Sequence, residues 1–229
     1  MFVLDRRRLF RLMMGTMSAA AFGAIATSTS AASIPLERRT ALITLYVALF
    51  NSAPDGDTLD AMVAAWEDGK SLLEIADTLD NQEFRMSYPA FLTPEEFADR
   101  FLDVLFGDGQ GGYIVSDNAT NYSRRWIISA LNNGVSDVHI ISQATSALIR
   151  SSNTAYDDAI ARMSNKVELA DAYARTVQTH PKDQEGKPDN SLARSLIANV
   201  TPDRSSISTV IDRILDGTLD GLPSYASPA

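Results

Sequence analysis

Three aspartates, Asp55, Asp57 and Asp60, lie close together in the run PDGDTLD and are the first residues that could bind a cation. Calcium prefers clustered oxygen ligands, and an EF-hand loop needs glycine at its sixth position and glutamate at its twelfth. Asp60 and Trp66 occupy those two positions here. We therefore predict a helix start with Asp57 or Thr58 as its N-cap, and calcium binding is the alternative.

Other motifs that could support catalysis are incomplete. Gly107, Gly109 and Gly112 match G-x-G-x-x-G, but they follow a predicted helix and not a strand, so a loop between helices is favoured over a dinucleotide site. The only imidazoles are His139 and His180, and the sequence contains neither a G-x-S-x-G nor an H-E-x-x-H motif. We predict no catalytic, cofactor or metal site, and hence a protein that is not an enzyme.

One cationic and aromatic cluster, formed by Arg124, Arg125 and Trp126, could contact a partner. Such residues stack on sugar rings or bind anionic polymers. Tyr113 and Tyr122 precede the cluster and belong to a residue type enriched where surfaces are recognised. We predict these five residues as candidates for partner binding, and the alternative is a solvated helix face with Trp126 turned into the core.

The N-terminus carries features of an export signal. Arg7 and Arg8 resemble the twin-arginine motif and precede the weakly apolar, uncharged residues 12–36. Small residues at Ser30 and Ala32 suit signal peptidase, so we predict that residues 1–32 are a cleaved signal peptide. A retained membrane anchor and a cytosolic helix are the alternatives, because the uncharged stretch is long enough to span a bilayer.

Composition and charge exclude several classes of protein. The 229 residues are 45% hydrophobic and 21% charged, enough apolar material for a packed core. The net charge of −9 repels nucleic acid, which we therefore exclude as a partner. Cleavage after Ala32 would leave 16 basic and 28 acidic residues, a net charge of −12. Without cysteine the chain has no disulfide and no thiolate metal site.

Apolar residues recur at helical spacing along the chain. Two sets predict amphipathic helices: Ile43, Tyr46, Val47 and Phe50, and later Phe97, Phe101, Leu102 and Leu105. Thr93 followed by Pro94 indicates a helix start, and Asn133 with Gly134 indicates a helix end. We therefore predict an all-α fold.

An internal echo divides the first two thirds of the chain. The run LYVALF ends at Phe50 and FLDVLF ends at Phe106, an offset of 56, whereas Gly69 and Gly134 align at an offset of 65. The second copy thus carries about nine extra residues, which we place in the Gly-rich loop that starts at residues 107–112. This loop either binds a partner or is a tolerated insertion without function. We predict two helical-hairpin units over residues 40–150, a C-terminal helical region over 151–221 and a flexible tail over 222–229.

The run from residue 45 to residue 84 resembles the DUF4214 domain, a bacterial helical module similar in fold to phycobilisome linker domains. The matching residues are Pro54, Asp55, Gly69, Ser71, Leu72, Ile75, Ala76, Glu83 and Phe84. The sequence departs from the family pattern at Asn51, Ser52, Ala61 and Met62, and the second copy lacks the Pro-Asp turn. Residues 165–170 and 196–207 resemble the segment that often follows this module.

The resemblance implies a role, because such modules recur in secreted, S-layer-like and adhesin-like proteins. We expect an exported, non-enzymatic structural or interaction module in the periplasm or at the bacterial cell surface, binding envelope polysaccharide, matrix or a protein assembly. A membrane-tethered accessory subunit of an integral membrane complex is the first alternative, and the membrane is a partner only if the N-terminal segment is retained. A hydrolase is a distant third.

Overall fold

The structure, a computed structural model, describes residues 36–186 and 188–222. The predicted signal peptide at residues 1–32, with Arg7 and Arg8, lies outside these residues, as do residues 223–229 of the predicted tail. Within the described ranges the chain forms ten α-helices, one 3-10 helix and no β-strand, which confirms the predicted all-α fold.

The helices connect through short links. In chain order they are α1 (Leu36–Phe50), α2 (Gly56–Glu67), α3 (Leu72–Thr78), α4 (Gln82–Ser87), α5 (Pro94–Phe106), α6 (Asp117–Asn132), α7 (Asp137–Ile149), α8 (Asp157–Thr176), α9 (Ser191–Ala198) and α10 (Ser205–Leu215). The 3-10 helix, Thr154–Tyr156, directly precedes α8.

α5 begins where the sequence predicts, with Thr93 as its N-cap, and the structure adds a capping box. The Thr93 hydroxyl accepts the Glu96 N–H at 3.2 Å, and the Glu96 carboxylate accepts the Thr93 N–H at 2.8 Å. Hydrogen bonds from the Thr93 backbone and side chain to the Glu96 carboxylate lower the pKa of Glu96, because they stabilise its charged form. Ser71 and Glu74 form a second capping box at α3.

The predicted N-cap of α2 is wrong by two or three residues. Asp55, and neither Asp57 nor Thr58, caps the helix: its Oδ1 accepts the Thr58 N–H at 2.8 Å. Asp57 lies in the first turn, and its carboxylate instead accepts hydrogen bonds from Gln178 and Thr179. Asp57 is thus engaged by Gln178, 121 residues away, and Asp55 is left to cap the helix. No local pattern reveals such a distant partner.

The internal echo coincides with the ends of helices. Both α1 and α5 end at the aligned phenylalanines, and α2 and α6 end at positions related by the second offset. Gly69 (φ 90°) and Gly134 (φ 80°) each follow the second helix of their unit in a left-handed conformation that favours glycine. The extra residues fall partly in α6, which has 16 residues against 12 in α2, and partly in the link before it.

The link before α6 is a closed turn. Asp108 Oδ1 accepts the N–H groups of Gln110 (2.7 Å) and Gly112 (2.9 Å), and the Asp108 N–H donates to the Gly112 carbonyl. An antiparallel bridge between Gly107 and Tyr113 closes the base of the turn. Where the sequence predicts a tolerant loop, the structure has a turn that fixes the backbone of Tyr113.

The core is built around α1. Residues 42–50 are all buried, and the helix packs mainly against α7 and α8. Since α8 also packs against α10, the predicted C-terminal region shares one core with the first two thirds. The eight apolar residues from which we predict amphipathic helices are all buried.

Six aromatic rings form a continuous series through this core. Neighbouring rings have centroids 4.5 to 6.5 Å apart, and the series links α1, α4 and α5. Its members are Tyr46, Phe50, Phe84, Tyr88, Phe97 and Phe101. At these distances aromatic pairs add about 0.5–1.5 kcal/mol beyond the burial of their area.

Candidate functional site

Arg124, one of the predicted partner-binding residues, joins two helices. Its guanidinium donates to both carboxylate oxygens of Asp99 on α5, with Nε–Oδ1 at 2.5 Å and Nη2–Oδ2 at 2.9 Å. Arg124 lowers the pKa of Asp99, and Tyr113 lies beside the pair. Arg124 is therefore engaged within the fold, and the structure brings only Tyr113 of the other four predicted residues close to it.

The other three predicted residues lie on a different side of α6 from Arg124. Consecutive helical positions are about 100° apart, so positions 122 and 124 lie about 160° apart around α6. Tyr122 (58% exposed) and Arg125 face solvent, whereas Trp126 is half-buried against the core. The predicted cluster is thus divided, because Arg124 pairs with Asp99, Arg125 faces solvent and Trp126 packs against the core.

The most exposed apolar side chains lie elsewhere, at the connection from α4 to α5. Phe91 is 84% exposed and Met86 is 71% exposed. Phe91 occupies a turn in which the Leu92 N–H donates to the Pro89 carbonyl at 3.1 Å. The buried Tyr88 and the half-buried Leu92 anchor the turn in the core on either side of Phe91.

A further bond holds this turn against α5. Arg100 donates to the Ser87 carbonyl at 2.7 Å, and the Thr93 capping box begins the helix just after the turn. Phe91 is therefore an exposed aromatic side chain on a backbone fixed at both ends. Such preorganised aromatic residues are typical of interface hot spots. The run YPAFLT does indicate this exposed residue, because Phe91 falls outside the apolar patterns of both neighbouring helices.

A second feature that the sequence did not predict is a buried polar cluster around His180, which is 7% exposed. The His180 backbone N–H donates to Asp55 Oδ2 at 2.7 Å, and its Nδ1 lies 3.3 Å from the Tyr173 hydroxyl. The buried Nε2 has no hydrogen-bond partner among the described residues. Burial lowers the pKa of His180, and the carboxylates of Asp55 and Asp189 partly oppose this effect.

Glu83 of α4 borders the same cluster. Its carboxylate accepts a hydrogen bond from Asn190 and lies 3.7 Å from Arg194 Nη2. Burial raises the pKa of Glu83 in spite of both partners, and burial also raises the pKa of the nearby Tyr46. The cluster joins α1, α4, α8 and α9. Its residues are too far apart in the sequence for their spacing to reveal it.

The described part of the chain offers neither a metal-binding cluster nor a membrane-spanning helix. It contains no group of three or more His, Cys, Asp or Glu side chains arranged to hold a metal ion. Among the helices from α1 to α10, none has the length and apolarity needed to cross a bilayer.

Comparison of the chain with protein-family models, with curated proteins and with solved structures finds no significant match. The resemblance to DUF4214 domains stays a prediction that rests on the residues quoted for it.

Proposed function

We propose that this chain is an exported, non-enzymatic interaction module that binds a protein assembly at the cell surface or in the periplasm. The observation that carries the proposal is the fixed turn that presents Phe91 to solvent, with Met86 exposed in the preceding helix. The DUF4214 resemblance and the N-terminal arginines support the exported location. A protein partner is favoured over polysaccharide because the exposed methionine suits an apolar pocket.

Covering Phe91 and Met86 with a partner lowers the free energy, because both side chains are apolar and exposed. Burying a Phe or Met side chain contributes about 1.5–3 kcal/mol relative to leaving it in water. The turn is already ordered, so little conformational entropy is lost when a partner contacts Phe91. Glu95 and Glu96 lie exposed just beyond the turn and would form part of a polar rim.

Site-specific photocrosslinking tests the contact. With p-benzoylphenylalanine at position 91, irradiation of intact cells should give a covalent adduct of discrete mass, because the probe replaces an aromatic ring at the proposed interface. The matched control places the same probe at Tyr122, another exposed aromatic position. An adduct at position 122 and none at position 91 would transfer the contact to the predicted α6 surface and reject the proposed one.

Export is tested separately at the N-terminus. We expect the intact mass of the mature protein to begin near Ser33, and the double substitution Arg7→Lys and Arg8→Lys to leave precursor in the cytoplasm. Full-length chain in the membrane fraction would favour the membrane-tethered alternative. A soluble cytosolic protein that begins at Met1 would contradict export altogether.

A further inference from the structure

Residues 177–181, here called the strap, follow α8 and close over the start of α2. The N–H groups of Gly56 and Asp57 donate to the carbonyls of Val177 (2.9 Å) and Gln178 (2.8 Å). The first turn of a helix has no internal acceptors for these groups, so the strap supplies them. A Cβ on Gly56 would lie 2.9 Å from the Gln178 side chain, so the two segments are in close contact.

His180 is the residue that fastens the strap to the core. Its backbone N–H reaches Asp55, and its ring lies under cover against Tyr173 of α8. A neutral imidazole can carry its one proton on Nδ1, beside the Tyr173 hydroxyl. A protonated ring would add an N–H at Nε2, which is buried with no acceptor among the described residues.

The ionisable groups around the ring belong to several elements. Asp55 precedes α2, Tyr173 lies on α8 and Asp189 lies just before α9; farther out are Tyr46 on α1, Glu83 on α4 and Arg194 on α9. The acids favour a charged imidazole, but burial is the larger effect and favours the neutral form.

We propose that the strap is a proton-sensitive latch that mild acidification releases from α2. Opening the strap returns the imidazole to water, where it binds a proton readily, whereas the closed strap keeps it neutral. Protons therefore bind the open state in preference to the closed state, and they shift the equilibrium towards opening.

The direction and the pH window follow from linkage. His180 has a lowered pKa when the strap is closed and its ordinary value of 6.5 when the ring is in water. The closed state is therefore fully favoured above pH 6.5 and loses this advantage as the pH falls below it. One proton changes the ratio of open to closed strap by up to about ten-fold per pH unit.

The contact between Asn190 and Glu83, beside the strap, responds to acid in the opposite sense. The chain returns beside the strap where the Asp189 N–H donates to the Pro181 carbonyl at 2.6 Å, and Asn190 then donates to Glu83. The raised pKa of Glu83 means that acid favours its packed state. Acidification thus releases the strap at His180 while the contact at Glu83 holds.

Amide hydrogen exchange, followed by NMR and corrected for its intrinsic pH dependence, tests the latch. The reporters are the amides of Gly56, Asp57 and His180, and the control amides are those of Phe101 and Leu102 in the core of α5. Between pH 6.5 and 5.5 we expect protection of the reporters to fall by up to about five-fold and that of the controls to stay constant. In His180→Gln, whose side chain is neutral throughout, the reporters should show no such fall.

Three results would overturn the proposal: constant protection of the reporters in the parent chain, the same pH dependence in His180→Gln, or an equal loss in the α5 control amides. If His180→Gln does not fold, His139→Gln leaves His180 as the only imidazole, and its ring resonance can be titrated directly. A midpoint below 6.5 that coincides with the loss of amide protection supports the latch, and a midpoint at or above 6.5 rejects it.

Discussion

Replacement of Lys166 by alanine is expected to lower the free energy of unfolding by about 3–5 kcal/mol. Lys166 is completely buried, and its Nζ donates to Asn51 Oδ1 at 2.8 Å and to the Val104 carbonyl at 3.0 Å. Alanine removes both hydrogen bonds and leaves a cavity. Urea unfolding of the parent and the variant measures the difference.

The matched control is Lys166→Met, which fills most of the same volume. Methionine also loses both hydrogen bonds, but it no longer places an amine in an apolar environment. We therefore expect a cost below about 2 kcal/mol. Equal losses in the alanine and methionine variants would show that the hydrogen bonds alone, and not the filled volume, account for the contribution of Lys166.

The same pair of proteins has a defined pH dependence. Burial, with a smaller contribution from Arg162, holds the pKa of Lys166 well below its ordinary value of 10.5. Between the lowered pKa and 10.5 the unfolded chain binds more protons than the folded chain, so stability rises with pH. The stability of the parent relative to Lys166→Met should therefore increase between pH 8 and pH 10, by at most about 1.4 kcal/mol per pH unit. A constant difference would contradict the burial of this amine.

The second large effect concerns the aromatic series. Phe101 is completely buried at one end of it, so Phe101→Ala should cost about 3–5 kcal/mol through lost transfer energy and the cavity left behind. Phe50→Ala should cost a similar amount. Phe91→Ala is the matched control, because its ring is exposed and its loss should change stability by less than about 0.5 kcal/mol.

Unfolding curves for the three phenylalanine variants decide whether the series supports the core. Similar midpoints for Phe101→Ala and Phe91→Ala would mean that the core is assigned incorrectly. A large loss in Phe91→Ala alone would show that the exposed turn is needed for folding, which would remove the reason to consider it a contact surface.

Local signals are sufficient to predict much of this fold. The apolar spacing around Tyr46 and Phe101 predicts which faces are buried, because an amphipathic helix has one stable way to orient. The capping box at Thr93 is likewise contained within four residues. These features depend on neighbours in sequence, so a single chain is enough to identify them.

Features that depend on distant partners are not predicted. A lysine at position 166 looks like a solvated residue on a helix, and only its acceptors on Asn51 and Val104, 115 and 62 residues away, show how it can be buried. His180 and Asp55 are 125 residues apart, so no spacing rule relates them. The converse also holds, because residues that are adjacent in the sequence of a helix point in different directions. Arg124, Arg125 and Trp126 are an example.

The central position of α1 also affects how the chain acquires its structure. Arg39 of α1 pairs with Asp171 of α8, 132 residues further along the chain. Asp57, at the start of the next helix, accepts a hydrogen bond from Gln178, 121 residues further along. Helical proteins usually fold fast because their contacts are local, but here closure of a very long loop must precede completion of the core. During synthesis at about 5–20 residues per second, the apolar face of α1 therefore waits several seconds or more for α8. An N-terminal fragment that ends before residue 157 would contain α7 but lack α8, so it would leave the part of α1 that packs on α8 uncovered and be prone to aggregation.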